Sequence, residues 1–183
     1  MPAVSPEAPK PGEAQTGTTA QQDNFDSPPP PMIGEEIAPR FEELDDDIGE
    51  VEPELLEAFG LESEDHLRVI ATQMRVLEHD YANRSAMEAV RRSVHTLKGA
   101  AGVVGFKAIS KLSHRMEDLL DELYDGDIQL NQPLVSLLFA TSDALEDLCA
   151  GTADKSTLRS TLSSLYERYN TIHQTSRLRS PPG

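Results

Sequence analysis

The chain has 183 residues, a single cysteine, no tryptophan and a formal net charge of −16. That length supports one modest core, built from aliphatic side chains because aromatics are only 5% of the sequence. An intramolecular disulfide is excluded, and the acidity argues against nucleic-acid binding, which needs a basic footprint.

Residues 1–50 hold nine of the thirteen prolines, including Pro28-Pro29-Pro30-Pro31, and twelve acids against two bases. Such a composition cannot bury enough apolar surface to order itself, so it predicts a disordered, acidic, proline-rich linker or tail. No run approaches the roughly 20 apolar residues of a membrane span. The N-terminus also lacks the charged-then-apolar pattern of a signal peptide, so a cytoplasmic protein without a membrane partner is expected.

From Pro53 the pattern turns helical, and a bundle is predicted over residues 51–174. Pro53 suits a first helical turn. Leu56, Phe59, Leu67, Ile70, Met74, Leu77 and Tyr81 form a first stripe at helical spacing, with Gly60 a weak point. Asn83 to Ser85 is a break, with Ser85 the expected cap of the next helix. Met87, Val90, Val94, Leu97, Ala101 and Val104 form the second stripe, which ends near Gly105. Ile109, Leu112, Met116, Leu119 and Leu123 form the third, stopped by Asp125-Gly126-Asp127. Leu134, Leu137, Leu138, Thr141, Leu145 and Leu148 form the fourth, between Asn131 and Gly151. Leu158, Leu162, Leu165, Tyr169 and Ile172 form the fifth. Short connections between amphipathic helices imply antiparallel neighbours. The expected fold is all-α: an antiparallel up-down four-helix bundle plus a fifth C-terminal helix, with residues 175–183 a frayed tail.

His95 lies off the second stripe, on a face with Lys98, Gly99 and Gly102. Two glycines inside a helix cost roughly 1 kcal/mol each against alanine, so they call for a reason. Clearance is one: a second protein surface can approach the ring. If the second and third helices turn at about Phe106, residues equidistant from it lie at one height. His95 is then level with Glu117, and Lys98 with His114. A carboxylate on one ring nitrogen fixes the tautomer and leaves the other nitrogen as a nucleophile. Glu117 suits that part. Lys98 could offset the charge of an incoming phosphoryl group, and His114 could supply a further hydrogen bond.

These residues resemble the histidine-containing phosphotransfer domains, above all the N-terminal domain of chemotaxis-type histidine kinases, the CheA family. The family pattern is His-x-x-Lys-Gly, a hydrophobic-Gly-hydrophobic turn, then His-x-x-Glu on the next helix. Here it reads His95, Lys98, Gly99, then Val104-Gly105-Phe106, then His114 and Glu117. The resemblance covers roughly residues 52–173 and departs at Gly60-Leu61, where such domains often carry an acidic run. It implies that His95 is the phosphoacceptor, with Lys98, His114 and Glu117 around it. Its expected partners are a histidine kinase catalytic (ATP-binding) domain and a response-regulator receiver domain, docking over Gly99 and Gly102.

No phosphate-cradling glycine loop is present, so no ATP site, cofactor or metal is expected in this chain, which would be a phosphocarrier belonging to or serving a histidine kinase. A metal site from His95, His114 and Glu117 is a weak reading, because di-metal bundles use a glutamate from each of two helices and paired Glu-x-x-His motifs. A non-catalytic interaction module with the same fold is the alternative. His66, His79 and His173 read as surface residues, the Arg91-Arg92 pair as a solvated face or partner contact, Met74, Met87 and Met116 as core, and Cys149 as buried or inert.

Overall fold

The computed structural model describes residues 51–179 apart from Thr152, with side chains described to Thr175. The 1–50 segment, expected to be a linker, and the end of the expected tail lie outside the described residues. Five helices follow in order: α1 (Pro53–His79), α2 (Arg84–Val104), α3 (Lys107–Asp125), α4 (Gln132–Ala150) and α5 (Lys155–Arg179). There is no strand among the described residues, so the all-α expectation holds.

Each of the first four helices packs on its sequence neighbour, and α4 closes the ring by packing on α1. The fifth packs on α4. The core is aliphatic: Ile70, Met74, Leu77, Val90, Val94, Leu97, Leu112, Met116, Leu119, Leu120, Leu138 and Leu145 are all sealed from solvent. Met87 is buried as well. The stripes read from the spacing are therefore the faces that meet. Tyr169 of α5 is fully buried, and its hydroxyl hydrogen-bonds Thr141 of α4 at 2.8 Å. That bond lets a phenol lie in an apolar layer without an orphaned oxygen.

Three local expectations change. Tyr81 does not extend the first stripe: α1 stops at Asp80, and the exposed Tyr81 hydroxyl donates to Gln132 at 2.7 Å. A ring with a polar tip is stable at a helix-end turn. The cap of α2 is Asn83, whose side chain accepts from Ala86 N–H at 3.0 Å, rather than Ser85, which lies inside the helix. The α5 backbone stays helical to Arg179, past the Thr175 where the tail was expected to begin. Gly60 leaves α1 unbroken, and Ser63 Oγ donates to its carbonyl at 2.9 Å.

The α2–α3 turn sets the register of the site. Gly105 ends α2 with φ of +83°, in the left-handed region, and its N–H and that of Phe106 both return to the Ala101 carbonyl. Phe106 then packs its ring on Phe59 of α1, centroids 5.0 Å apart. A Cβ at a left-handed position costs about 1–2 kcal/mol. Gly105→Ala should therefore lower the unfolding free energy by about that much in a urea titration. A neutral result would mean that the turn relaxes freely.

Candidate functional site

Helix α2 projects His95 outward, because Val94 and Leu97 take the buried positions on either side of it. The ring is 68% exposed. Helix α3 brings Glu117 to meet it. Glu117 is buried at the edge of the core, beside Met116 and Leu120, and its side chain is only 12% exposed. Its Oε1 lies 2.6 Å from His95 Nδ1, and its Oε2 lies 2.5 Å from Lys98 Nζ. One carboxylate thus serves two partners a turn apart on the facing helix.

The electrostatics follow from this placement. Burial pushes the Glu117 carboxyl upward, but the hydrogen bonds and charges of Lys98 and His95 outweigh it and hold the group below its ordinary value of 4.5. An ionised carboxylate only accepts, so the neutral His95 ring carries its proton on Nδ1 and turns its Nε2 lone pair to solvent. The structure therefore brings together His95 and Glu117, as the spacing predicted.

It does not join Lys98 to His114. Lys98 reaches to Glu117, while His114 is exposed and pairs weakly along its own helix with Asp118, Nε2 to Oδ1 at 3.4 Å. Equal distance from the turn fixes height, not rotation, and a lysine stem spans a turn easily.

The two glycines differ. A Cβ at Gly99 would meet nothing within 4 Å, whereas one at Gly102 would touch Ser110 Oγ of α3 at 3.7 Å. Gly99 is open surface beside His95, and Gly102 lies where the helices approach. Because Gly99 sits in a helix interior with free space, Gly99→Ala should stabilise the fold by about 1 kcal/mol. A fall in the denaturation midpoint would contradict this placement.

The other singled-out residues fall away from the site. His66 faces Glu62, and His79 bonds the Arg75 carbonyl on its own helix. His173 of α5 pairs with Glu122 of α3 at 2.9 Å, more company than the sequence suggested. Cys149 is half-buried, and burial pushes its thiol up to about 11, so it is a poor nucleophile. Among the described residues no group of three or more His, Cys, Asp or Glu could hold a metal ion. No described helix is long and apolar enough to cross a membrane. The sequence reading missed Arg91 and Asp121, which join α2 to α3 at 2.8 Å one turn from the site. They too are equidistant from Phe106, and that was the available signal.

Comparison with known proteins agrees with this fold. The family model described as Hpt domain matches residues 54–155, more than half of the chain. The chemotaxis protein CheA of Halobacterium salinarum is 38% identical over 91 residues, which are 50% of this chain and 14% of that protein. The chemotaxis protein CheA of Salmonella typhimurium is 38% identical over 61 residues, 33% of this chain and 9% of that protein. The chain thus spans a small part of the curated relatives it matches. Among solved structures, the CheA phosphotransferase domain from Thermotoga maritima is similar at a TM-score of 0.51 and 28% identity, covering 54% of this chain and 93% of that one. The chain belongs to the Hpt domain family and is a histidine phosphotransfer module of the CheA type.

Proposed function

We propose that His95 is the phosphoacceptor, and that the single observation carrying this is the 2.6 Å contact from Glu117 to Nδ1 of an exposed ring. The Nε2 lone pair attacks the phosphorus of the donor. An N–P bond forms, the P–O bond to the leaving group breaks, and the leaving oxygen keeps the electron pair. The positive charge that develops on the ring is offset by Glu117 through the retained Nδ1–H. In the second transfer an aspartate oxygen attacks the same phosphorus, the N–P bond breaks, and Nε2 recovers its lone pair.

Lys98 keeps Glu117 ionised and in place. His114 stands at the exposed rim, available to a phosphoryl oxygen or a partner. The donor is the ATP-binding domain of a CheA-type kinase or a receiver phosphoaspartate, and the acceptor is a receiver aspartate. Gly99 and Gly102 leave the approach clear. Residues 1–50 act as a tether, residues 51–174 as the transfer bundle and the last residues as a tail.

The test is to incubate the chain with a CheA-type kinase core and labelled ATP, or with a phosphorylated receiver. Acid-labile, base-stable label mapped to the His95 peptide is the expected result. Label elsewhere, or none with several competent donors, would leave an interaction module with the same fold.

A further inference from the structure

The polar contacts between α2 and α3 do not end at the phosphoacceptor. One turn before His95, the Arg91 guanidinium reaches Asp121, one turn after Glu117, at 2.8 Å. The same guanidinium lies 4.7 Å from the centre of the Tyr124 ring, and Arg84 covers that ring at 4.3 Å. Lys98, His95, Arg91 and Arg84 on α2 thus descend one seam against Glu117, Asp121 and Tyr124 on α3. By contrast Arg92, next in sequence, bonds Glu88 on its own helix.

The apolar side of this seam is sealed from solvent. It is built from Val90, Val94 and Leu97 facing Leu112, Met116 and Leu119. Apolar contacts of this kind are non-directional, so they do not by themselves fix a hydrogen-bond geometry. A hydrogen bond of 2.6 Å does not tolerate such shifts, and a misplacement of about 1 Å at a reacting centre can cost on the order of 100-fold in rate. Directional polar contacts next to the site are what can hold it. The Arg91–Asp121 pair is half-exposed, 35% and 45%, so its weight lies in geometry rather than in stability.

We propose that Arg91 is a positioning residue for His95: through Asp121 and Tyr124 it holds α3 against α2 one turn from the phosphoacceptor and keeps Glu117 opposite Nδ1. This rests on the phosphoacceptor reading for its consequence in rate, but not for its structural content. It also leaves Arg91 without direct contact to the phosphoryl group.

The full chain tests this with three variants: Arg91→Gln, Asp121→Asn, and the exchange Arg91→Asp with Asp121→Arg. The first readout needs no kinase. Nitrogen-15 shifts of the His95 ring report the share of the Nδ1–H tautomer. The wild type should show mainly that tautomer, both single variants a measurable loss of it, and the exchange a recovery. The second readout is the rate of phosphoryl uptake from a CheA-type kinase core. It should fall about 3- to 10-fold in each single variant, chiefly in kcat, and recover in the exchange. Unfolding midpoints should move by no more than a few degrees throughout.

An unchanged tautomer share in Arg91→Gln would overturn the proposal. So would an exchange variant as impaired as the single ones, since that would place Arg91 on the phosphoryl group or the partner. If the wild type takes up no label at all, the phosphoacceptor reading falls, and the tautomer shares alone decide the role of Arg91.

Discussion

Replacing His95 by glutamine should abolish phosphoryl uptake and leave the bundle folded. The ring is 68% exposed, so its removal costs little packing. Its one strong partner, Glu117, retains Lys98 at 2.5 Å and is not left as an uncompensated buried charge. An amide nitrogen has no basic lone pair and cannot take a phosphoryl group. The measurement is label incorporation beside thermal unfolding followed by circular dichroism. Uptake should fall below detection while the midpoint moves by a few degrees at most. Residual label at a wild-type rate would place the acceptor elsewhere.

Glu117→Ala should lower the uptake rate by about 100-fold or more and also destabilise the fold. Carboxylates that hold a catalytic imidazole in its reactive tautomer contribute up to about 10⁴-fold in buried sites, and the exposed ring here points to the lower part of that range. The stability loss, about 1–3 kcal/mol, comes from stranding the half-buried Lys98 and opening space beside Met116. Glu117→Gln separates the two roles. An amide of the same shape fills the space, yet its N–H₂ can donate to Nδ1 and drive the proton to Nε2, the atom that must attack. Rate should therefore stay low in the glutamine variant while part of the stability returns. If the glutamine variant transfers at the wild-type rate, Glu117 is a packing residue only.

The same carboxylate sets a pH dependence. Glu117 titrates below its ordinary 4.5 in the folded chain, where Lys98 and His95 donate to it. Between the folded and unfolded values the unfolded chain binds more protons, so stability rises with pH there. The contribution is complete above 4.5 and is lost as pH falls through the lower folded value. Urea midpoints measured from pH 6 downward should show an acid-side loss in the wild type that is reduced in Glu117→Ala. Parallel curves would mean that the ion pairs contribute nothing.

Much of this was legible in the chain because helical bundles repeat one signal. Apart from Tyr81, the five stripes lie on the faces that pack into the core, and His95 and Glu117 meet because both lie eleven positions from Phe106. What the spacing could not supply was rotation and reach. Lys98 and His114 share a height, yet a flexible ammonium found the buried carboxylate and the imidazole turned to solvent beside Asp118. Asn83 and Ser85 are both competent caps, and only the chain's path chose Asn83. Arg91 and Arg92 looked like one solvated pair, yet helical rotation of one residue sends Arg91 across to α3 and leaves Arg92 on its own helix.

The hairpin that carries His95 and Glu117 also bears on how the chain reaches its fold. The two residues are 22 positions apart, joined through a single tight turn. Closing so short a loop carries a small entropic cost, and proteins rich in such local contacts fold fast. The His95–Glu117 pair is therefore built from one contiguous stretch of chain, with no residue of α4 or α5 in the contact. Detaching α5 would expose Tyr169 and weaken the bundle, but it would take no atom away from the His95–Glu117 pair.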